Sequence, residues 1–428
     1  MWPALNEQFV MRDRGYSDST ETARRPRHRW YVLKEAFSPD LVSAAMADSG
    51  CSERDTVWDP FCGCGTTPLT AASEGVRAVG FEVNPFLAFA ARTKLLACRP
   101  RTILKHACDV RSGAVKGMRS PLETYSTFSE GGGKPKWLFN PPVLRSFEGG
   151  WQRTVGMRQE PRDILRLCLI RAAMQVCNAV QDGKCLRYRR DWQARAFGKA
   201  EFLASFDVWV KAAAEDLEAP PPAARKSEVR QGDSRELAER IVGEPFRLCV
   251  TSPPYLNSFD YSDIYRPELF LGRFARSNAE LRALRLRTMR SHVQVKWDEP
   301  ASNEWSSILA QCLAGIESRP DMLWDARLPN MIRAYFEDWS RLLSTLRGRA
   351  RDDGSLWIVV STSAYAGIEV PVDLILAEMA LPAGWFLREI GVLRHLRSAG
   401  QHWHKASRAE LSPLHLRESV VILDAKPR

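Results

Sequence analysis

The chain has 428 residues, with 61 Lys and Arg against 51 Asp and Glu, a formal charge of +10. Its 45% apolar content and 14 tryptophans support a full core and exclude a disordered chain, and 26 Gly with 26 Pro exclude low complexity. No apolar run reaches the roughly 18 residues of a membrane-crossing helix, and the first residues show neither a basic nor an apolar leader region. These features predict a chain without membrane association, acting in the cytoplasm. The positive balance favours a polyanionic partner such as nucleic acid. The 10 cysteines show no C-x2-C pair; they read as reduced, mostly buried thiols, with no metal implied.

In chain order, residues 1–28 are polar and rich in Arg, Ser and Thr, and predict a flexible N-terminal arm. From residue 29, short apolar runs alternate with helical patterns, the signature of a parallel α/β sheet. A strand at 56–58 runs into a Gly-rich turn holding Cys62, Gly63, Cys64 and Gly65, then a helix with Pro68 in its first turn. A second strand ends at Glu82. Further strands are expected at 228–230, 247–251, 355–361, 385–393 and 419–423, seven in all. Between the second and third lies an excursion of more than a hundred residues, too long for a loop. Leu165, Leu169, Ala173, Val176 and Val180 keep helical spacing within it, with Arg162, Arg166 and Arg171 off that face. The stretch 219–223, A-P-P-P-A, reads as the linker back to the core.

Two motifs carry chemistry. Gly63 and Gly65, between a strand and a helix, let the backbone approach a ligand, and Glu82 at the next strand end can accept from ribose hydroxyls. Alone this turn serves equally as plain structure, and no third glycine stands at dinucleotide spacing. The second motif, Ser252-Pro253-Pro254-Tyr255, follows a strand at the place where doubly wound sheets bind ligands. An exocyclic amine of a nucleobase is a poor nucleophile because its lone pair is conjugated with the ring. A side-chain oxygen and a proline-fixed carbonyl can accept its two N–H bonds and favour tetrahedral geometry, while the tyrosine face stacks on the base. Asn140-Pro141-Pro142-Val143 imitates this motif without the aromatic residue and reads as a helix-start turn.

D-P-F-C-G-C-G-T-T at 59–67, G-F-E-V-N-P at 80–85, G-D at 232–233 and T-S-P-P-Y at 251–255 resemble the S-adenosylmethionine-dependent amino-methyltransferases of DNA. The serine form is most similar to the cytosine-N4 branch; aspartate or asparagine there is more usual for adenine-N6. The resemblance implies a Rossmann-like, seven-stranded class I methyltransferase sheet: a cofactor half at 29–99, a mainly helical insertion at 100–227 as candidate target-recognition region, and a catalytic half at 228–428. It also implies duplex DNA as substrate with the target base flipped out, nucleoid association through DNA, and a cognate restriction endonuclease. Phe61, Gly63, Gly65 and Thr66 would form the cofactor turn, with Asp59 near the methionine amino group, Glu82 on the ribose and Asp233 at the adenine amine. Ser252 and the Pro253 carbonyl would hold the target amine, Pro254 would fix the turn, and Tyr255 would stack. The rival readings are an adenine-N6 DNA methyltransferase, then an RNA guanine-N2 methyltransferase, then a non-catalytic DNA-binding protein. Cys62 and Cys64 read as packing residues.

Residues 141–200 hold 12 basic and 5 acidic residues and 271–300 hold 7 and 3, so the excess charge lies in two segments and the remainder is near neutral. Interleaved with Tyr188, Trp192 and Trp297, these segments predict phosphate contacts, with Arg187, Arg189, Arg190, Arg285, Arg287 and Arg290 as DNA-binding candidates and 271–334 as a second contacting segment.

Overall fold

The computed structural model describes residues 9–182, 185–220, 222, 227–240, 245–301, 305–396 and 416–427. Its strands are β1 (Phe9–Met11), β2 (Thr56–Asp59), β3 (Arg77–Glu82), β4 (Ala179–Gln181), β5 (Leu186–Tyr188), β6 (Glu228–Gln231), β7 (Phe246–Thr251), β8 (Ala350–Ser361), β9 (Ser363–Tyr365), β10 (Ile368–Val370), β11 (Phe386–His395) and β12 (Arg417–Asp424). Eight of them form one sheet in the order β1-β11-β12-β8-β7-β2-β3-β6. β12 runs antiparallel to both its neighbours, and every other pair is parallel. All seven expected strands lie in this sheet, which is Rossmann-like. β2 and β7 are adjacent, but the chain leaves them toward opposite edges, so a crevice opens at their carboxyl ends.

Alternation along the strands builds a core on each face. Trp58, Val79 and Cys249 pack with the helices Leu328–Arg347 and Val372–Ala380, whereas Val57, Ala78, Leu248 and Val250 pack with the helix Pro39–Asp48. Covered on both sides, the central strands are apolar throughout, which is why they were visible as short runs.

The excursion contains the helices Pro100–Lys116, Pro141–Arg153, Gln159–Gln175 and Lys199–Asp216 and the β4–β5 hairpin. Its core is continuous with Phe86, Leu87 and Ala90 on the helix Pro85–Leu95 that follows β3. Asn140 is the residue before the helix Pro141–Arg153, with Pro141 in the first turn. The helix Gln159–Gln175 ends before Val180, which lies in β4. The arginines expected off that apolar face are partly drawn inside: the Arg171 guanidinium covers the rings of Tyr31 and Trp209, 5.2 and 4.4 Å from their centroids, and Arg166 covers Trp151 at 4.4 Å. The linker expected at 219–223 falls partly outside the described residues.

The expected flexible arm is corrected by the structure from residue 9 onward. β1 pairs in parallel with β11, Phe9 opposite Ile390 and Met11 opposite Val392. Arg12 donates two hydrogen bonds to Glu389, each 2.6 Å. Arg27 is buried; its backbone N–H donates to Asp216 at 2.7 Å and its guanidinium donates to the carbonyls of Lys94 and Leu96 at 2.9 and 2.8 Å. Composition alone marks such a segment as loose, but its arginines satisfy a helix end and a buried carboxylate.

Within the insertion, the helices Pro100–Lys116 and Pro141–Arg153 cross at Gly113 and Gly149. A methyl carbon at Gly149 would stand 2.3 Å from the Gly113 carbonyl oxygen, so the backbones touch where side chains would normally separate them. Gly149→Ala is therefore expected to cost about 1–3 kcal/mol through overpacking, measured as a lower denaturation midpoint. An unchanged midpoint would show that the helices can separate freely.

Candidate active site

A pocket opens at the carboxyl ends of β2, β3, β6 and β7. It is lined by Asp59, Phe61, Gly63, Thr66, Glu82, Asp233, Ser252, Pro253, Pro254 and Tyr255, joined by Leu33, Glu35, Phe37, Tyr265, Arg287, Ser291 and His292. Both sequence motifs thus share one cavity. Gly65 does not line it. At φ +88° it starts the helix Thr66–Ser73, and a methyl carbon there would lie 2.9 Å from Ala91 Cβ. Its smallness serves helix packing behind the turn.

The turn after β2 is held by carboxylates and backbone. Gly63, at φ +51°, donates its N–H to Glu82 Oε2 at 2.9 Å, and Asn84 donates its own to Glu82 Oε1 at 2.7 Å. Asp59 Oδ1 accepts from the Phe61 N–H at 3.0 Å and from the Thr251 hydroxyl at 2.7 Å. Asp59 and Glu82 are buried, and burial pushes the carboxyl of each up to about 7, against the opposing pull of these donors. The donors they accept from are neutral. Two buried carboxylates without a counter-cation fit a ligand that brings positive charge and hydroxyl groups, as S-adenosylmethionine does through its sulfonium, ammonium and ribose. Cys62 and Cys64 are buried in apolar clusters, and burial drives the Cys62 thiol well above its ordinary range.

At the other motif, Pro253 is buried while Ser252, Pro254 and Tyr255 are half-buried. The Tyr255 hydroxyl donates to Glu418 Oε1 on β12 at 2.6 Å, which fixes the ring direction across the sheet. Tyr365 on β9 donates its hydroxyl to the Leu256 carbonyl at 3.0 Å, holding the segment that follows. Sequence reasoning missed Glu418 and Tyr365; a lone carboxylate at the head of the apolar run of β12 was the available signal.

Asp233, expected to take an adenine amine, lies in the pocket with its carboxylate already occupied. Oδ1 accepts from Arg235 N and Nε, both at 3.0 Å, and Oδ2 accepts from Arg235 Nε and Nη2 at 3.1 and 2.6 Å. Arg235 Nη1 also donates to buried Asp338 at 2.9 Å.

The DNA-binding candidates separate into engaged and available groups. Arg290 donates to Asp338 Oδ1 through Nε and Nη2 at 3.0 and 2.7 Å and to Glu337 at 2.6 Å, so it clamps the pocket wall. Arg285 is paired with Asp260 at 2.5 Å. Arg189 donates to the carbonyls of Cys177 and Gln175 at 2.9 and 3.3 Å. These three are each held by partners within the protein. Arg187 is exposed in a loose 3.4 Å pair with Asp182, and Arg190 and Arg287 are exposed. The hairpin carrying Arg187 is tied to the pocket side: Lys34 Nζ donates to the Gln181 carbonyl at 2.7 Å, and Gln181 Nε2 to the Ile264 carbonyl at 3.2 Å.

No family model matches the chain. Over most of its length it is similar to Type II methyltransferases. M.BsoBI from Geobacillus stearothermophilus is 22% identical over 446 aligned residues, covering 92% of this chain and 85% of that protein. M.AvaI from a Nostoc species is 23% identical over 419, covering 86% and 81%. A tRNA (guanine(10)-N2)-dimethyltransferase from Methanothermobacter thermautotrophicus is 32% identical over 82 residues, 19% of this chain and 24% of that protein. Among solved structures, the rRNA methyltransferase aviRa from Streptomyces viridochromogenes aligns over 91% of this chain and 86% of its own at 12% identity, with a TM-score of 0.32, too low to carry weight. The homologues are thus methyltransferases, a class whose methyl donor is S-adenosylmethionine. Among the described residues no helix is long and apolar enough to cross a membrane.

The raised carboxyls give cofactor binding a pH signature. In the free pocket Asp59 and Glu82 are protonated below about 7; a cationic, hydroxyl-bearing ligand favours their ionised forms. Affinity for S-adenosylmethionine is expected to rise as pH increases through about 7, with proton release that calorimetry in buffers of different ionisation enthalpy detects. Glu82→Gln should remove part of that release, and an unchanged release would take Glu82 out of the site.

Proposed function

We propose that this chain is a DNA methyltransferase that transfers methyl from S-adenosylmethionine to the exocyclic N4 amine of cytosine in duplex DNA. The observation that carries this reading is that Ser252-Pro253-Pro254-Tyr255 and the Gly63–Glu82 turn line one pocket at the β2/β7 switch point. Similarity to Type II methyltransferases over most of the chain supports it.

When bound, S-adenosylmethionine supplies an activated methyl group on a sulfonium. The protein positions the acceptor. Ser252 Oγ and the Pro253 carbonyl accept the two N–H bonds of the flipped base's amine, withdrawing its lone pair from the ring, and Tyr255 offers its face for stacking with its hydroxyl anchored on Glu418. Arg187, Arg190 and Arg287 supply exposed charge for phosphates. A cognate restriction endonuclease is part of the same proposal, by analogy with the Type II relatives.

Incubation with duplex DNA and labelled cofactor, followed by nucleoside mass spectrometry, is expected to yield N4-methylcytosine. N6-methyladenine in its place would reassign the target. The 82-residue match to a tRNA guanine-N2 enzyme makes tRNA the control substrate, and N2-methylguanine there with unmodified DNA would overturn the DNA reading. Tyr255→Ala should lower the rate about ten- to a hundredfold through lost stacking; full activity would dismiss the assigned site, and wild-type protein inert on every nucleic acid would leave a binding role. Joint replacement of Arg187 and Arg190 by Gln is expected to reduce the slope of log affinity against log salt by about 1 to 2 while cofactor affinity stays unchanged. An identical slope would return both residues to ordinary surface.

A further inference from the structure

β12 is the one reversed strand of the large sheet, and this decides what its first residues can reach. Antiparallel to β8, it begins where the parallel strands end, so Glu418 lies at the carboxyl edge that carries the pocket, opposite Ser361 at the end of β8. β11 runs antiparallel to β12 and finishes at the same edge, with Arg394 opposite Glu418. In sheet order β8 separates β12 from β7, and Tyr255, just beyond β7, crosses the end of β8 to meet Glu418.

Three groups then form a relay. The Tyr255 hydroxyl donates to Glu418 Oε1 at 2.6 Å, and Arg394 Nε stands 2.7 Å from Glu418 Oε2 as an ion pair. The Glu418 side chain is 5% exposed and that of Arg394 40%, so the relay leads from the protein surface to the pocket. Glu418 heads the run Ser419-Val420-Val421-Ile422-Leu423, all of it buried, where a carboxylate adds nothing to packing. Burying a charge is costly, and a buried ion pair is often no more stabilising than apolar residues in its place. What it supplies here is direction. Arg417, the neighbour in sequence, is turned onto Asp373, Nε and Nη2 donating at 2.7 and 2.8 Å, so Arg394 is the cation that faces Glu418.

The backbone around Tyr255 is held from both sides. Pro253 and Pro254 restrict it before the tyrosine, and after it the Ser363 and Tyr365 hydroxyls both donate to the Leu256 carbonyl. The freedom that remains is rotation of the ring about its own side-chain torsions. Its hydroxyl, at the far end of the ring, is the point where a single bond restrains both torsions at once. A bond to a charged acceptor is short and roughly twice as strong as a neutral one, and a cation at the second oxygen favours that charged form.

We infer that Glu418 and Arg394 are positioning residues for methyl transfer: Arg394 holds the carboxylate, the carboxylate holds the Tyr255 hydroxyl, and the ring is thereby preset for the base it stacks on. This rests on the methyltransferase reading. The test is single-turnover transfer from labelled S-adenosylmethionine to mixed-sequence duplex DNA, with calorimetric binding of S-adenosylhomocysteine measured alongside. The variants are Tyr255→Phe, Glu418→Gln, the two combined, Arg394→Gln and Arg394→Lys. Tyr255→Phe and Glu418→Gln are each expected to slow transfer about three- to tenfold with cofactor affinity unchanged, and the combined variant to be no slower than the slower single one. Arg394→Gln should slow transfer severalfold, and Arg394→Lys should restore most of that loss. Losses that multiply in the combined variant, or that come with weaker cofactor binding, would mark plain packing damage and overturn the inference. Full activity of Tyr255→Phe, which removes a single oxygen, overturns it however the Glu418 variant folds, and equal losses in the two Arg394 variants strike Arg394 from the relay. Wild-type protein that methylates neither DNA nor tRNA would fail the methyltransferase reading itself.

Discussion

The hydrogen bond from the Thr251 hydroxyl to Asp59 Oδ1, 2.7 Å long and fully buried, joins the two halves of the site. It spans the carboxyl ends of β2 and β7, the adjacent strands whose onward connections leave in opposite directions. Asp59 also receives the Phe61 N–H, so one carboxylate sets both the turn after β2 and the strand end that leads into Ser252, the two segments that line the pocket. In a buried setting such a bond is worth more than in water, and losing one partner strands the other. Movement at either motif is therefore felt at both.

The carboxylates around this bond are held under electrostatic tension. Asp59 and Glu82 sit in the free pocket with neutral donors and carboxyls raised to about 7. The carboxylates beyond β6 are organised differently: Asp233, Asp338 and Glu337 are all matched to Arg235 and Arg290. The carboxylates of the turn thus face neutral donors, while those braced by Arg235 and Arg290 face cations.

The sheet and both motifs were legible because their signals are local. Strands covered on both faces must be apolar throughout, and a turn at φ +51°, where an added Cβ would stand 2.7 Å from Leu33 Cδ1, favours Gly63. Arginine function was not legible in the same way. Arg290 differs from Arg287 in having Asp338 and Glu337 within reach, partners 48 and 47 residues away on a helix, and nothing in the local sequence states those pairings. The same reason hides Arg12 with Glu389 and Arg27 with Asp216, so residues 9–28 read as an arm. Tyr255 was found by its motif, but its anchor, Glu418, lies on a strand distant in sequence.

The edge pairing of β1 with β11 has a consequence for the order of assembly. Phe9 lies opposite Ile390, so the first described strand cannot take its place until nearly the whole chain has left the ribosome. Until then its exposed Val10 and Met11 have no sheet to join, and the outer strand that awaits them is itself incomplete. Closure of the sheet edge is thus a late event of long sequence separation, in the class that folds slowly. Truncated or stalled chains would display an open β-edge, the surface on which strands of neighbouring molecules add.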